Sequence, residues 1–304
     1  MQREHTNVCQ NTRVLQLNRI RRSCMYFTGG ARQVVVLWQI VVIVLCFRGF
    51  EEGCGVGSLQ LILNYFAERK RAVLEDAHRE FKRIIAQLEN IYNVRPFNQQ
   101  TAQSLTELFA LVLAVHPATI LELGAGSRSS TIALALAAAT FPLPPRIISI
   151  DINPGDFTRF AKTHFPHLRL APVEDVCAEA TEFRIPPSCA EPVFMLYDAH
   201  DEDVPGIKIF PFARQVWFPE MPGAVVAVHD CSVFPQPQEG LASYYHQAVF
   251  SPEVTLVGFG EVPGLVQYLQ ENELTLGLPG REMQALQIDG EGTSLIYFQL
   301  PARS

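Results

Sequence analysis

The sequence predicts an α/β fold built on a doubly wound, mostly parallel sheet of about seven strands with helices on both faces, preceded by an N-terminal helical extension. Two observations predict it: beyond Pro96, short apolar segments alternate with helical segments, and polar residues directly follow the apolar segments. Strands that alternate with helices form parallel sheets covered on both faces, and ligands bind outside the carboxyl ends of the strands. The expected fold is therefore Rossmann-like, with its site at one edge of the sheet.

The predicted elements follow one another regularly. Apolar residues recur at helical spacing over 103–115, the stretch 129–140 is an alanine-rich helix, and a third helix is predicted over 156–164. Short apolar runs bounded by turn residues predict strands. The predicted strands are residues 119–123, 146–150, 168–173, 192–197, 224–228, 254–259 and 294–300.

Composition limits the class of protein. A chain of 304 residues with 48% hydrophobic residues can bury a sizeable core, and its length suits one large domain or one domain with an appendage. The first 50 residues hold seven arginines and one acid, so the other 254 hold 17 basic and 30 acidic residues. This balance makes the main body a poor candidate for binding phosphates, and no nucleic-acid partner is expected.

The seven cysteines are widely spaced and include no C-x-x-C pair. This pattern argues against a disulfide framework and a structural zinc site, and it fits a reducing compartment in which the cysteines are small buried hydrophobes. We therefore expect a cytoplasmic protein.

The first segment, 1–58, is basic and apolar. Its apolar stretch 34–47 has 14 residues and follows several arginines, which suits a short signal-anchor on the inner face of a membrane. It is shorter than the roughly 18 to 20 residues that span a bilayer. The alternatives are a buried strand or helix, an interfacial helix, or a start codon assigned too far upstream, with Met25 as an internal start.

The second segment, 59–96, is predicted to be an amphipathic helical extension of the third, the α/β domain over 97–304. Apolar residues at spacings of three and four form one helix stripe. They are Leu74, Ala77, Phe81, Ile84, Leu88 and Ile91. The stripe packs either on the α/β domain or on a second subunit, as a homodimer through 74–91.

Polar residues follow five successive predicted strands. A single acid after a strand is commonly a helix cap or turn residue, but five strands that end in this way are harder to explain by caps. In chain order the residues are Gly124 and Gly126, Asp151, Glu174 and Asp175, Asp198, and His229 with Asp230.

The first of these strand ends reads "ILELGAGSRSST" over 120–131. A dinucleotide-binding turn has the pattern G-x-G-x-x-G, in which the third glycine permits close packing beside a pyrophosphate. Here Ser129 stands at the third position. The turn therefore favours a ligand without a pyrophosphate.

Four segments in this order, "ILELGAGS", "ISIDINP", "FMLYDAHD" and "GAVVAVHDCS", resemble the class I S-adenosylmethionine-dependent methyltransferases. The last two resemble the branch of catechol O-methyltransferase-like and bacterial sugar O-methyltransferase-like proteins. The resemblance covers roughly residues 97 to 300. It implies S-adenosyl-L-methionine as the cofactor and O-methylation of a small-molecule or glycan acceptor.

The resemblance also implies roles at the first turn. Gly124 and Gly126 permit close approach of the cofactor. Ser127, Ser129 and Ser130, with free backbone amides, are expected to donate to its methionine carboxylate, unless one serine only caps the helix. Glu122 is expected near the amino group of the cofactor, or else supports the turn.

The acids of the next strands complete the expected cofactor site. Asp151, 25 residues beyond Gly126, suits acceptance from ribose hydroxyls, with a turn-capping role as the alternative. Asp175 is expected at the adenine amine, with Glu174 an equally placed competitor. Asp198 is expected beside the cofactor as well.

Asp198, His229 and Asp230 are the expected ligands of Mg²⁺ or another divalent metal, as the resemblance to metal-dependent relatives implies. A histidine ligand shifts the preference toward a transition metal. His200 and His229 are the expected catalytic bases, and a metal-free site that uses them is equally open. His229 could also face away from the site, because side chains alternate along a strand.

The loop 231–247 carries Tyr244 and Tyr245 and is predicted either to cover an acceptor or to pack in the core. Two other functions stay open at this point. One is a hydroxylase-like enzyme of a biosynthetic cluster with the same fold, and the other is a catalytically degenerate, membrane-tethered binding protein.

Overall fold

The computed structural model describes residues 71–94, 101–200, 209–285 and 294–303. The helices are α1 (Arg71–Tyr92), α2 (Ala102–Val115), α3 (Ser129–Ala138), α4 (Phe157–His164), α5 (Ile209–Phe212), α6 (Val262–Glu271) and α7 (Pro279–Ala285). A π-helical turn and a 3₁₀ turn follow α5 (Ala213–Trp217 and Phe218–Glu220). The predicted segment 1–58, including the expected anchor 34–47, lies outside the described residues.

The main sheet has six strands in the order β3-β2-β1-β4-β5-β9. They are β1 (Thr119–Leu123), β2 (Arg146–Asp151), β3 (Val173–Cys177), β4 (Val193–Tyr197), β5 (Val225–His229) and β9 (Leu295–Gln299). The first five are parallel and β9 is antiparallel to β5. The order 3-2-1-4-5 is that of doubly wound Rossmann-like sheets, which confirms the predicted fold class.

Six strands, instead of about seven, form the main sheet within the described ranges. The predicted strand 254–259 lies elsewhere, in an antiparallel three-stranded sheet of order β6-β8-β7. Its strands are β6 (Ser232–Phe234), β7 (His246–Ser251) and β8 (Val254–Gly258). Apolar content predicted a strand here, but it could not predict which sheet the strand joins.

The third strand also differs from its prediction over 168–173, because β3 begins only at Val173. Ala171 is buried and its amide donates to the carbonyl of Ala135, so this apolar stretch packs on the helix layer. β3 is an edge strand whose residues are half-buried or exposed. It therefore lacks the apolar run by which a buried strand is recognised.

Helix α1 buries its predicted stripe within the chain. Leu74, Phe81, Ile84 and Leu88 are almost fully buried and belong to the same core cluster as α2 and α3. The ring of Phe81 meets that of Phe109 edge to face at 5.9 Å. The stripe thus packs on the α/β domain, while a homodimer through 74–91 stays a prediction.

Within the described ranges, no helix has the length and apolar character needed to span a bilayer.

Candidate functional site

A cavity of about 410 Å³ opens at the carboxyl ends of the central parallel strands. Its lining extends from the turn after β1 to the ends of β4 and β5. We call Gly124, Gly126, Ser127, Ser129 and Asp151 the glycine-turn end. The histidine end consists of Asp198, His200, His229 and Asp230. All nine of these predicted site residues line the cavity.

Gly124 brings two strand ends into close contact. Its φ is +83°, and a Cβ at this position would lie 2.3 Å from the carbonyl oxygen of Asp198. Only glycine combines this backbone conformation with this approach. The turn after β1 is therefore fixed against the first residue after β4.

Asp151 holds the same turn through its backbone amides. Its Oδ2 accepts from the amides of Ala125 at 2.9 Å and Gly126 at 3.1 Å, while Oδ1 accepts from the amide of Asn153 at 2.7 Å. A carboxylate offers about four acceptor positions. Asp151 therefore supports the turn and retains capacity for a ligand hydroxyl in the cavity.

Ser127 and Ser129 lie at the start of α3, with their hydroxyl oxygens 3.1 Å apart. The N-cap residue Arg128 makes no side-chain cap hydrogen bond. Tyr92, the last residue of α1, donates to the carbonyl of Ser127 at 3.2 Å. The start of α3 thus presents hydroxyls at the cavity, and the N-terminal helix contacts this turn.

Glu122 lies beneath the turn and does not line the cavity formed by the described residues. Its Oε2 accepts from the hydroxyls of Ser149 at 2.6 Å and Thr131 at 2.8 Å. Burial raises the pKa of Glu122, although the neighbouring hydroxyls oppose the shift. This placement matches the alternative in which Glu122 supports the turn.

Asp175 differs from its expected place at the adenine. It lies within β3, pairs with the buried Arg128 at 2.9 Å and accepts from the amide of Phe157 at 2.8 Å. β3 was predicted to end at 173 but ends at Cys177, so the residues at its carboxyl end begin at 178. Residues 178–181, including Glu179, line the cavity in its place.

Glu174 does not line this cavity either, and it pairs with Arg146 at 2.7 Å. Glu179 would have been predicted to line the cavity only if the end of β3 had been placed correctly, at Cys177. Arg128 was also missed, because an arginine in a glycine–serine turn gives no sign in the sequence that it will be buried.

At the histidine end, His229 is enclosed by acids. Its Nδ1 lies 2.9 Å from Asp198 and 3.2 Å from Asp230, and its Nε2 lies 3.4 Å from the hydroxyl of Ser294. Burial alone lowers the pKa of His229, but the two carboxylates outweigh it, so the pKa is raised. The ring therefore faces the site and not the opposite side of the sheet.

His200 bridges three carboxylates. Its Nε2 lies 3.5 Å from Asp230 and 3.8 Å from Asp198, and its Nδ1 lies 3.0 Å from Oε1 of Glu261. Burial lowers the pKa of His200, but hydrogen bonds to Asp230 and Glu261 and the charges of Glu261 and Asp198 outweigh it and raise the pKa to about 10. The imidazolium form is thus strongly stabilised by its neighbours.

Asp198, His200 and Asp230 can direct one ligand atom each to a common point, since these atoms lie within 4.8 Å of one another. The predicted metal set had His229 where this group has His200. Carboxylate oxygens with one imidazole nitrogen suit a divalent cation, with some preference for a transition metal.

The backbone at Asp230 is unusual as well. Its φ is +54°, which is uncommon for residues other than glycine but is tolerated by aspartate. A Cβ on Gly258 would lie 2.6 Å from the carbonyl oxygen of Asp230. Gly258, the last residue of β8, therefore lets β8 pack closely against the backbone of Asp230.

Tyr244 and Tyr245 of the loop 231–247 lie close to the histidine end. Their side chains are exposed, and the ring of Tyr245 is 5.5 Å from that of Phe259. Phe259 in turn lies 4.0 Å from the ring of His200. These aromatics border the site and are not core residues.

Glu261 and Phe259 were not predicted as site residues. They follow β8 in the second sheet, whereas the predicted site residues belong to the strands of the main sheet and the turns after them. An acid just before a helix reads as an ordinary cap, so the segment "FGEVPG" carried no signal for a site.

No protein-family model and no curated protein matches the chain. Several solved structures resemble parts of it. The O-methyltransferase TomG from Streptomyces achromogenes, involved in tomaymycin synthesis and solved in complex with SAM, is 19% identical, with 59% of this chain and 89% of that chain covered and a TM-score of 0.35.

The 1,6-didemethyltoxoflavin-N1-methyltransferase of Burkholderia thailandensis, with bound S-adenosylhomocysteine, is 12% identical, with 77% of this chain and 91% of that chain covered and a TM-score of 0.38. The [4+2]-cyclase SpnF is 14% identical, with 69% of this chain and 84% of that chain covered and a TM-score of 0.41. At TM-scores this low these likenesses do not identify a function.

Proposed function

We propose that the protein is an S-adenosylmethionine-dependent methyltransferase that methylates a hydroxyl group of a small molecule or sugar. The observation that carries this proposal is the continuity of one cavity, which joins the glycine-turn end to the histidine end. A methyl donor and a hydroxyl acceptor have to meet in one enclosed space, with a proton acceptor beside the hydroxyl.

The glycine-turn end would hold the donor. The hydroxyls of Ser127 and Ser129 at the start of α3 suit a carboxylate, and Asp151 retains acceptor capacity for a ribose hydroxyl after binding three backbone amides. Nothing in this turn requires a pyrophosphate, since the third glycine of a dinucleotide turn is replaced by Ser129. When bound, the donor supplies a methyl group on a positively charged sulfur.

The histidine end would receive the acceptor. In its neutral form either ring, His200 or His229, can take the proton of the acceptor hydroxyl as its oxygen is methylated, because the neighbouring carboxylates stabilise the imidazolium that forms. The pKa of His200 is raised to about 10, so this ring reaches its neutral form at high pH or when a cation displaces its proton. Tyr244, Tyr245 and Phe259 border this end and offer apolar faces to a ring-shaped acceptor. Fixing the acceptor and removing its proton are the contributions that this chain would make to the rate.

Asp198, His200 and Asp230 would hold a divalent cation if the reaction uses one. Such an ion lowers the pKa of a coordinated hydroxyl. The charges of the site are compatible with it, because two aspartates face the same point as the imidazole nitrogen of His200.

The proposal is tested by incubating the full chain with S-adenosylmethionine and a panel of hydroxylated acceptors, and measuring the S-adenosylhomocysteine released. Release that depends on one class of acceptor, with a matching methylated product, is the expected result. A parallel series after exhaustive chelation tests the cation. Binding of S-adenosylmethionine without transfer to any acceptor would instead favour the hydroxylase-like or binding alternatives.

A further inference from the structure

Glu261 is a buried carboxylate that contacts His200 from outside the cavity. Its side chain is fully buried, and its Oε1 lies 3.0 Å from Nδ1 of His200. The other oxygen, Oε2, has no hydrogen-bond partner among the described residues. A buried carboxylate with one oxygen unpaired is expensive for the fold, so its presence requires an explanation.

Helix capping does not explain Glu261. It precedes the first residue of α6, where an acidic side chain commonly accepts from the first backbone amides. Here the side chain makes no such cap hydrogen bond and is directed to His200 instead. The carboxylate therefore serves the histidine rather than the helix.

The ring of His200 is constrained on several sides at once. Glu261 contacts Nδ1, the ring of Phe259 lies 4.0 Å away at an angle of 31°, and Asp230 and Asp198 face Nε2. Rotation of the ring by half a turn would move Nδ1 away from Glu261 and Nε2 away from the aspartates. Contacts at both nitrogens thus select one ring orientation.

We infer that Glu261 is a positioning residue: it accepts the Nδ1 proton of His200 and so directs Nε2 toward Asp198 and Asp230. This inference rests on the proposed function and adds a residue to it. In the neutral ring, a proton held at Nδ1 leaves the lone pair at Nε2, where it can bind a cation or take a proton. Carboxylate partners of this kind fix histidine ligands in metal sites generally.

Two substitutions separate positioning from simple filling of space. Glu261→Gln keeps the size and an oxygen that can accept from Nδ1, so it should retain most of the function. Glu261→Met keeps approximately the volume but removes every acceptor. Because removal of one partner leaves the other buried and uncompensated, Glu261→Met should unfold at a lower temperature than the wild type, and its function is compared well below that temperature.

The full chain and both variants are compared by three measurements. The first is NMR of the His200 ring, assigned with His200→Gln, in which a protected Nδ1 proton is expected in the wild type and Glu261→Gln and lost in Glu261→Met. The second is calorimetric titration with Mn²⁺ and with Zn²⁺ alone, or methyl transfer where an acceptor is known. Glu261→Met should lower affinity or activity by roughly 10- to 100-fold.

The third measurement, binding of S-adenosylmethionine, separates this inference from the proposed function. Glu261 is not among the residues that line the cavity, so both variants should bind the donor as the wild type does. Failure of all three proteins to bind it counts against the proposed function and not against the positioning role. Glu271→Gln, which alters an exposed partner of Arg214 on the same helix, is the matched control.

An unprotected Nδ1 proton in the wild type would overturn the inference. So would a Glu261→Met variant that binds the metals, or transfers methyl groups, as well as the wild type. Equal losses of metal affinity or methyl transfer in Glu261→Gln and Glu261→Met, together with a lower unfolding temperature in both, would assign Glu261 to stability alone. That result would also overturn the inference.

Discussion

The two ends of the cavity are built by different means. The glycine-turn end comes mainly from one short stretch of chain, and its contacts are largely between side chains and backbone amides, as with Asp151 and the turn. The histidine end combines residues at the carboxyl ends of β4 and β5, and Glu261 contacts it from the segment after β8, so its contacts are between charged side chains. One end is a rigid scaffold, and the other is a concentrated group of ionisable residues.

This difference has a physical consequence. Backbone amides are fixed by the turn and do not titrate, so most groups of the glycine-turn end keep their charge as pH changes. The histidine end, together with Glu261, places three carboxylates beside two histidines in a largely buried space. Its structure should respond to any change of charge, including a bound cation.

The largest expected effect is at the histidine end. His200→Ala should lower the rate of methyl transfer by roughly 10²- to 10⁴-fold, because it removes a proton acceptor or a metal ligand. Binding of S-adenosylmethionine should change little. Measured kcat and calorimetric affinity together test this, with the exposed His167→Gln as control, and a parallel loss of both quantities would contradict the division into two ends.

The corresponding change at the other end is Asp151→Ala. Loss of a carboxylate that holds the amides of Ala125 and Gly126 should weaken S-adenosylmethionine binding by roughly 100-fold, about 2.7 kcal/mol. Asp151→Asn retains an oxygen acceptor and should lose less. Affinities that are equal in all three proteins would show that the turn does not bind the donor.

Prediction from the sequence succeeded where a feature is local. β1 begins and ends where its buried apolar run predicts, and the turn after it lines the cavity as expected. β3 was misplaced because an edge strand lacks such a run, and Asp175, which was expected to follow it, lies within β3 and outside the cavity lining. Glu261 could not be found, since it reaches His200 across 61 positions of the chain through a second sheet.

The rigidity of the two ends can be compared by replacing one glycine beside each of them with alanine. Gly124→Ala combines a positive φ with a close approach to Asp198, and Gly258→Ala places a Cβ 2.6 Å from the carbonyl of Asp230. Each should lower the free energy of unfolding by about 1 to 3 kcal/mol, with Gly124→Ala the more severe. Gly264→Ala on α6 meets only the ring of Phe210, at 3.4 Å, and is the control for chemical denaturation. If Gly124→Ala left the free energy of unfolding unchanged, the turn after β1 would be able to shift to accommodate a Cβ.

The smallest expected effect is on the pH dependence of stability. Glu122 and His200 both have pKa values that are higher in the folded protein, so the stability each adds is present at low pH and lost as pH rises. For Glu122 the loss begins above the ordinary value of 4.5, and for His200 it extends from 6.5 to about 10.

Unfolding of the chelated protein by urea across this pH range should therefore show stability that falls as pH rises. Glu107, with a pKa raised to about 8, Glu282, raised to about 7, and His229, also raised, add in the same direction, so each contribution is read as the difference between a variant and the wild type. In Glu122→Gln the free energy of unfolding should fall less steeply just above pH 4.5 than in the wild type. In His200→Gln it should fall less steeply between pH 6.5 and about 10. A profile that rises with pH in the upper range, or that is unchanged by His200→Gln, would contradict the assignment of charges at the histidine end.

The central claim is that the glycine-turn end binds S-adenosylmethionine in a cavity that continues to the histidine end. Isothermal titration of the full chain with S-adenosylmethionine and S-adenosylhomocysteine tests it most directly. We predict saturable binding of both ligands at one site per chain, with no binding of NAD. A folded chain that binds neither, or that prefers the dinucleotide, would contradict the claim.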